Sequence, residues 1–508
     1  MSSLSVLVPV YNEQHLVAAS LGRLGVLETS PHLERIQVVV VDDSSRDGSA
    51  AALHAFAAER GIALAPPPPP APRSGGAVPA VELGRGRQGR TEWIFLRHER
   101  NGGKGAAIRT ALERADGQYS VIHDADLEYH PVDILRMVDV FVTERADAVF
   151  GSRFAGGESR RVLFFRHELG NKLLTFLTNL VTNLNLTDME TCYKAVRTDL
   201  LRSIPIFSND FRLEPELTIK LAKREARVFE VPIRYSGRTY QEGKKIDWRD
   251  GVRALGAILR FTFSDKIYVR DEPGLEMTRR LASAGRFTGW MADLIRPFLG
   301  SRLLEIGSGT GAITRRLVPR DLYVASEVDP LYLETLRNLT ADRPYLEARY
   351  TDVTDLDSFP AVEGGFDSVV CLNVIEHLDD DVGALRNVRS VLSPGGRAVV
   401  LVPSGPWNFG TLDEALGHRR RYTEEGLREV ASRAGLEVTT ILRFNRLSSL
   451  PWWLNGRVLR RRAAGRLQIG AVDWLTPLVR RIDRFLPFPP LSLIAVMERR
   501  PDLDSRGP

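Results

Sequence analysis

Short runs of branched apolar residues alternate with amphipathic stretches along the first half of the chain. The apolar runs are residues 4–10, 36–41, 93–96, 119–123 and 148–151. Stretches with a helical period lie between them, at residues 13–27, 49–60 and 105–114. Uninterrupted apolar runs joined by helices are typical of parallel strands that are covered on both faces. The pattern therefore predicts an α/β domain that begins with a strand–helix–strand unit.

A second alternation of strands and helices begins after a polar connector. Its predicted strands are residues 303–306, 323–326, 368–372 and 397–402. A chain of 508 residues is long enough for two or three domains. The predicted organisation is a first α/β domain over residues 1–265, a linker over 266–275, a second α/β domain over 276–500 and a tail over 501–508.

Residues 65–92 interrupt the first domain. They contain five consecutive prolines, followed by glycine, arginine and serine. Proline has no amide hydrogen to donate to a sheet, and the remaining composition offers no apolar face. We predict a disordered surface insertion; a proline-rich ligand for another protein is the alternative.

Composition and charge narrow the class of protein. Hydrophobic residues make up 43% of the chain and charged residues 26%, which is ordinary globular composition and excludes a disordered protein. The net charge of +5 is too small to indicate nucleic-acid binding. The chain has two cysteines, no basic leader and no apolar run long enough to cross a bilayer, so we predict a cytoplasmic protein.

The positive excess is local. Residues 457–484 hold eight arginines and two aspartates, inside a segment, 447–488, that interrupts the second domain and also contains tryptophans. Arginine mixed with tryptophan suits the surface of an anionic membrane. We predict peripheral membrane contact through this basic amphipathic insertion; a helical pair between the domains is the alternative.

Acidic turns follow two predicted strands of the first domain. VPVYNE spans residues 8–13 and VVDDSSRDGS spans residues 40–49. Parallel α/β sheets bind ligands at the carboxyl ends of their strands. Asp42 or Asp43 is therefore the candidate acceptor for a nucleotide base.

Two further motifs suit phosphate chemistry. Asp124 and Asp126 emerge together from the strand YSVIH, with Glu128 two residues beyond. Three such oxygen ligands can hold Mg²⁺ or Mn²⁺, which would neutralise a departing diphosphate. In NGGKG, residues 101–105, Lys104 and the amides of the following helix would converge on an anion.

Together, VPVYNE, DDSSRDG, NGGKGAAIRTA, DADLEYHP and GSRF resemble the family 2 glycosyltransferases, and most of all those that act on dolichyl or polyprenyl phosphate. The resemblance covers about residues 3–262. It implies a GT-A fold, a nucleotide-diphosphate sugar donor and inversion at the anomeric carbon. It also implies roles for individual residues: Pro9, Tyr11, Glu13 and Asp42 lining the nucleotide, Asp124, Asp126 and Glu128 facing the metal and diphosphate, and Arg153 contacting phosphate.

The sugar acceptor is left open by the sequence. A lipid phosphate is already ionised at neutral pH and needs only positioning, whereas a hydroxyl needs a base, for which Glu214 and Glu216 are the candidates. Residues 169–184 place apolar side chains on one helical face. This face would either lie on a bilayer, helping a lipid acceptor to reach the site, or pack against the sheet.

The second domain opens with LLEIGSGTGAITRRL, residues 303–317. Gly307, Gly309 and Gly311 would let the backbone approach a ligand closely. A dinucleotide site fits the glycine spacing, but Glu305 suits a cationic ligand and would repel a pyrophosphate. The pattern favours S-adenosylmethionine, with Glu327 accepting from the ribose hydroxyls and Asp352 from the adenine amine.

Together with FDSVVCLNVIEHL and LRNVRSVLSPGGRAVVLVP, this motif resembles the class I S-adenosylmethionine-dependent methyltransferases over about residues 276–500. The resemblance places Asn373 near the methyl donor, and Glu376 and His377 at the acceptor cavity. His377 is a candidate base or an orienting residue, and His418 in GHRRRYT is a further base candidate.

The full prediction is two tandem Rossmann-like domains, a GT-A glycosyltransferase followed by a class I methyltransferase. We expect a bifunctional enzyme at the cytosolic face of a membrane, acting on a polyprenyl phosphate or lipid-linked glycan. The catalytic candidates are Asp124, Asp126, Glu216 and His377. The alternative is an active methyltransferase with a noncatalytic glycosyltransferase-like scaffold.

Overall fold

The computed structural model describes residues 2–66, 78–156, 165–237, 248–264, 266–269, 281–282, 284–340, 343–463 and 465–499. The chain divides into two compact units, Met1–Val269 and Arg270–Pro508. The predicted tail over 501–508, and residues 270–275 of the predicted linker, lie outside the described residues. Val269 donates its amide hydrogen to the carbonyl of Ser203 at 2.9 Å, so the chain still belongs to the first unit at this point.

The first unit is built on an eight-stranded sheet. Its strands are β1 (Ser2–Val10), β2 (Leu33–Asp42), β3 (Ala80–Gln88), β4 (Thr91–His98), β5 (Tyr119–Ile122), β6 (Ala148–Ser152), β7 (Lys194–Arg197) and β8 (Val228–Pro232). Their order across the sheet is β3-β4-β2-β1-β5-β7-β6-β8. Strands β4, β2, β1 and β5 run parallel, and β7 is antiparallel to both of its neighbours.

Eight helices accompany this sheet in the described part of the unit. They are α1 (Val17–Arg23), α2 (Ser49–Ala58), α3 (Lys104–Arg114), α4 (Val132–Glu144), α5 (Phe165–Thr182), α6 (Thr198–Ser203), α7 (Leu213–Lys223) and α8 (Trp248–Thr262). The central strands are buried on both faces, as the run Val38–Val41 illustrates. Continuous apolar strands need such double cover, which is why β1 and β2 could be found from the sequence.

The prediction of a disordered insertion over residues 65–92 is wrong for its second half. Residues 80–88 form β3, an edge strand antiparallel to β4. A Cβ on Gly84 would lie 2.5 Å from the carbonyl oxygen of Ala63, so glycine lets this strand approach the preceding segment closely. Leu83 is the one buried side chain of this strand, so apolar alternation in the sequence is too sparse to predict it. Residues 67–77, which include most of the prolines, lie outside the described residues.

The second unit contains a seven-stranded sheet. Its strands are β9 (Arg302–Ile306), β10 (Leu322–Ser326), β11 (Leu346–Arg349), β12 (Phe366–Leu372), β13 (Leu392–Pro403), β14 (Leu436–Phe444) and β15 (Ser492–Arg499). Their order is β11-β10-β9-β12-β13-β15-β14. The first five are parallel, and β15 is antiparallel to both β13 and β14. The prediction of two tandem α/β units is confirmed.

The described helices of the second unit cover both faces of its sheet or lie in its insertion. They are α9 (Gly285–Ile295), α10 (Thr314–Leu317), α11 (Pro330–Thr340), α12 (Asp381–Val391), α13 (Thr411–Leu416), α14 (Glu424–Arg433), α15 (Ser449–Trp453) and α16 (Arg466–Ile482). Within the predicted insertion, α16 is anchored to α9, because Asp473 accepts the amide hydrogen of Arg286 at 2.7 Å. Trp474 and Phe485 each remain 70% exposed.

Candidate active sites

The acidic turns of the first unit meet at one edge of the sheet, where β1, β2 and β5 end. Asp43 follows β2 and accepts three hydrogen bonds, from the amides of Gly102 and Gly103 at 2.7 Å each and from Nδ1 of His98 at 2.6 Å. A Cβ on Gly103, whose φ is +87°, would collide with the carbonyl oxygen of Asn209. Asp43 therefore holds the glycine loop at the start of α3 in place, a role that the sequence did not predict.

Asp42, the predicted nucleotide ligand, is fully buried. One carboxylate oxygen accepts the amide hydrogen of Ser45 at 3.0 Å, and the other pairs with the guanidinium of Arg97. A nucleotide base bound here would share the Asp42 carboxylate with Ser45 and Arg97. The role of Asp42 as a nucleotide ligand stays a prediction. Pro9 and Tyr11 lie at the end of β1 beside this turn, and the amide of Glu13 donates to Ser49 Oγ at 2.8 Å.

The glycine loop places Lys104 beside the carboxyl end of β5. Its Nζ lies 3.0 Å from Oδ2 of Asp124 and 3.2 Å from Oε1 of Glu214, and the second oxygen of Glu214 accepts from Lys194 at 2.6 Å. Burial opposes the charged form of Lys104, but Asp124 and Glu214 outweigh it and raise its pKa well above the usual value. Burial also opposes ionisation of Asp124, yet Lys104 lowers the pKa of that carboxyl. These side chains thus form a row of alternating charges at the carboxyl ends of the strands, which we call the charge chain: Asp124, Lys104, Glu214 and Lys194.

Of the two base candidates, only Glu214 belongs to this charge chain. The oxygens of Glu216 accept the amide hydrogens of Phe207 at 2.8 Å and Ser208 at 2.7 Å, and the same carboxylate pairs with Lys220. Glu216 is completely buried and holds the segment before α7. Its carboxylate is thus already tied to backbone amides and to Lys220, and its role as a catalytic residue stays a prediction.

The predicted metal ligands share one turn but face different partners. Asp126 accepts the amide hydrogen of Glu128 at 3.1 Å, and Glu128 accepts the hydroxyl hydrogen of Tyr235 at 2.8 Å. Among the described residues, these carboxylates and Asp124 do not form a group of three converging ligand atoms. Their hard oxygens suit Mg²⁺ or Mn²⁺, but Lys104 and Tyr235 hold two of the three. The metal therefore stays a prediction.

Arg153, predicted to contact phosphate, is buried against Asp188. Its Nε and Nη2 donate to the two oxygens of that carboxylate at 2.7 and 2.8 Å, and its guanidinium carbon lies 5.1 Å from the ring centre of Tyr235. Nearby, burial and the charge of Glu214 raise the pKa of Glu190 to about 7. The sequence assigned no individual role to Asp188, Glu190 or Tyr235, because their contacts are with residues distant along the chain, although TDMETCYKA, residues 187–195, resembles the acceptor-side region of the family 2 glycosyltransferases.

Helices α5 and α8 of the first unit present apolar side chains to solvent. They pack on each other and on α7 through Leu177, Ile219 and Ile258. Their outer faces expose Leu169, Leu173, Phe176, Leu180, Val252, Leu255 and Leu259. One side of α5 therefore packs on neighbouring helices and the other is exposed to solvent; contact of residues 169–184 with a bilayer stays a prediction.

The second unit contains a cavity of about 680 Å³ at the carboxyl edge of its sheet. The cavity is lined by six of the seven predicted donor-site residues, namely Glu305, Gly307, Gly309, Glu327, Asp352 and Asn373. Gly311, which follows in the same turn, has a φ of +78°, and Gly307 and Gly309 also have positive φ. The glycine prediction thus reflects a real backbone requirement.

Glu327 lines the cavity and fixes the glycine turn. One of its oxygens accepts the amide hydrogen of Gly309 at 2.8 Å, and the other accepts that of Val328 at 2.8 Å. Glu305 is more deeply placed, because Thr314 donates to it at 2.5 Å and Tyr323 at 2.8 Å. Burial raises the pKa of both carboxyl groups.

His377 and His418 also line the cavity. The centres of the two rings are 5.0 Å apart. Nδ1 of His418 lies 2.9 Å from Asp413, and Nδ1 of His377 lies 3.1 Å from the carbonyl oxygen of Gly417. Beside them Glu376 is completely buried, and burial raises its pKa to about 8.

Each of the two α/β units thus has an acidic and glycine-rich edge at the carboxyl ends of its strands. Residues 5–64 and 86–204 match the model of glycosyl transferase family 2, and residues 304–398 match a methyltransferase domain model. The chain carries a family 2 glycosyltransferase domain followed by a methyltransferase domain. The predictions of both families and of both kinds of transferase are confirmed.

Relatives of each half are known. An undecaprenyl-phosphate mannosyltransferase of Micrococcus luteus is 29% identical over 47% of this chain and 85% of its own length. A dodecaprenyl-phosphate galacturonate synthase of Rhizobium johnstonii is 22% identical over 61% of this chain and 79% of its own length. A ubiquinone biosynthesis O-methyltransferase of Aeromonas salmonicida is 26% identical over 22% of this chain and 47% of its own length. In the described part of the chain, no helix is long and apolar enough to span a membrane.

Proposed function

We propose that the first unit transfers a sugar from a nucleotide-diphosphate donor to a polyprenyl phosphate, and that the second methylates a hydroxyl group with S-adenosylmethionine. The observation that carries the proposal is the gathering of motif residues at one edge of each sheet. In the first unit Lys104 bridges Asp124 and Glu214. In the second, Glu327 holds the amide of Gly309 at the mouth of the cavity.

The charge chain of the first unit suits a phosphate nucleophile. A lipid phosphate is ionised at neutral pH, so the protein has to position it and stabilise charge rather than remove a proton. Lys104 can serve the phosphates of the donor because it is buried and held in its charged form. A divalent ion at Asp124, Asp126 and Glu128 would neutralise the leaving diphosphate.

The exposed faces of α5 and α8 support a lipid acceptor. A lipid phosphate must be collected from a bilayer, and an exposed apolar helical face can enter the boundary between headgroups and acyl chains. Leu173 and Leu180, which are 57% and 70% exposed, would lie in that boundary. The protein would then contact the membrane surface peripherally, with or without the segment around Trp474.

In the second unit, the ribose of S-adenosylmethionine would lie against Glu327 and its adenine near Asp352. The acceptor hydroxyl would enter from the end that carries His377 and His418. S-adenosylmethionine would supply its methyl group to the hydroxyl oxygen and leave as a neutral thioether, and the hydroxyl proton would pass to water or to one of the two histidines.

The test uses the purified full chain with labelled nucleotide sugars, undecaprenyl phosphate in vesicles and labelled S-adenosylmethionine. We expect Asp126→Asn to abolish sugar transfer and preserve methylation, and Glu327→Gln to weaken methylation at limiting S-adenosylmethionine and preserve sugar transfer. Asp139→Asn, at an aspartate whose side chain is 54% exposed, is the matched control. Retention of sugar transfer in Asp126→Asn would refute the assigned site, and methylation without turnover of any nucleotide sugar would support the scaffold alternative.

A further inference from the structure

Glu376 in the methyltransferase unit has a buried carboxyl group whose hydrogen-bonding capacity is not satisfied. Its side chain is completely buried, and neither carboxylate oxygen has a hydrogen-bond partner among the described residues. A buried polar group without a partner costs several kcal/mol, so native structures nearly always supply one. The partner of this side chain would then be a water or an ion, and its neighbours decide between the two.

Two imidazoles face the same point. Glu376, His377 and His418 each offer one ligand atom, and these atoms all lie within 4.8 Å of one another. Nε2 of His418 is 3.9 Å from Oε1 of Glu376, which is too long for a direct hydrogen bond. A small cation between these groups would satisfy all of them.

The surroundings of the two rings match those of metal ligands. Nδ1 of His418 lies 2.9 Å from a carboxylate oxygen of Asp413, and Nδ1 of His377 lies 3.1 Å from a backbone carbonyl. Metal-bound histidines almost always donate their second ring hydrogen to a carboxylate or a carbonyl, which fixes the tautomer and the ring orientation. Arg421 also donates to Asp413 at 2.9 Å, so this supporting carboxylate is itself held in place.

We propose that Glu376, His377 and His418 bind a divalent transition-metal ion at the acceptor end of the methyltransferase cavity. Two imidazoles and one carboxylate suit zinc-type ions, and three protein ligands leave coordination positions open, as in catalytic sites. His377 and His418 line the cavity, so the open positions would face the methyl acceptor.

A metal ion here would help to deprotonate the hydroxyl group of the methyl acceptor. The inference rests on the proposed methyl transfer. A metal-bound hydroxyl loses its proton to water more readily. Its oxygen then attacks the methyl carbon of the sulfonium, and neutral S-adenosylhomocysteine leaves. His377 and His418 would thus act as ligands rather than as the general bases that the sequence suggested.

Cobalt(II) provides the test, because nitrogen ligation in a four- or five-coordinate site gives visible bands that distinguish it from the oxygen ligands of Asp124 and Asp126. The full chain, freed of metal with a chelator, is titrated with Co²⁺. We expect a saturable spectrum in the wild type and in His32→Ala, a histidine of the first unit. His377→Ala and His418→Ala should lose it.

Asp413→Asn tests whether Asp413 orients the metal ligand His418 or only stabilises the fold. We expect cobalt affinity to fall about 10- to 100-fold, as for other residues that orient a ligand, while calorimetric binding of S-adenosylmethionine stays within about twofold. If a histidine-to-alanine variant no longer binds S-adenosylmethionine, the Asn variant at the same position replaces it.

The two levels of the proposal can fail separately. Absence of a nitrogen-ligated spectrum in the wild type, or its persistence in both histidine variants, overturns the metal site even if methyl transfer proceeds. Failure of the wild type to bind S-adenosylmethionine overturns the proposed methyl transfer, whatever the cobalt spectrum. Methylation that a chelator abolishes and Zn²⁺ or Co²⁺ restores supports both.

Discussion

Replacement of Asp43 by asparagine should open the glycine loop of the glycosyltransferase unit. The carboxylate accepts hydrogen bonds from His98 at 2.6 Å and from the amides of Gly102 and Gly103 at 2.7 Å. Asparagine keeps one acceptor oxygen but places an NH₂ group against a backbone donor. One charge-assisted bond is lost, and the others weaken.

The size of the effect follows from these contacts. A hydrogen bond to a charged group contributes about 1.5–3 kcal/mol, and an unpaired buried donor adds a similar cost. We expect the closed loop to lose about 3 kcal/mol, which corresponds to roughly 100-fold in the opening equilibrium. Since Lys104 follows Gly103 directly, sugar transfer should fall by at least about tenfold.

Hydrogen–deuterium exchange of the peptide that contains Gly102 and Gly103 measures the loop opening directly. Asp116→Asn is the matched control, because that carboxylate is 50% exposed and forms a surface pair with Arg35, a kind of contact that contributes at most about 1 kcal/mol. Methylation by the second unit is an internal control in the same sample. Unchanged exchange of both glycine amides in Asp43→Asn would refute the assigned role of Asp43.

Three further variants probe other parts of the chain. Glu327→Gln removes the charge that holds Gly309 and Val328, so the affinity for S-adenosylmethionine should fall about 10- to 100-fold by calorimetry, with sugar transfer unchanged; equal affinity would contradict the assignment. Because burial raises the pKa of Glu376 to about 8 from 4.5, the metal-free unit should lose stability as pH rises from about 5 to 8, by about 1.4 kcal/mol per pH unit. Glu376→Gln should make the free energy of unfolding of this unit depend less on pH. Urea titrations at several pH values measure it, in the unfolding transition that added S-adenosylmethionine shifts. The same pH dependence in the wild type and the variant would show that the carboxyl titrates normally. The double variant Leu173→Asp and Leu180→Asp should weaken co-sedimentation with anionic vesicles by more than about tenfold, since each leucine would otherwise bury apolar surface worth roughly 1–2 kcal/mol; unchanged co-sedimentation would leave α5 out of any membrane contact.

Much of the architecture was accessible from local pattern. Buried strands such as β2 and β9 carry continuous apolar runs because helices cover both of their faces, and this leaves a signal in the sequence itself. The turn at Gly307 and Gly309 was equally visible, because positive φ angles favour glycine. The edge strand β3 left no such signal, because it pairs with β4 along its length while burying a single side chain, Leu83.

In the candidate sites, too, the positions of the side chains could be predicted from the sequence, whereas their contacts could not. The sequence by itself determined which side chains stand at the carboxyl ends of the strands, since that depends only on where an apolar run stops and an acidic or glycine-rich turn begins. Only the tertiary structure decided what each group touches: that Asp43 holds the glycine loop, that Glu216 is tied to backbone amides, and that Glu376 and His418 converge on one point. Hydrogen bonds and charges act over a few ångströms in space, between residues that can be a hundred positions apart along the chain, so a linear pattern can propose the groups but not their partners.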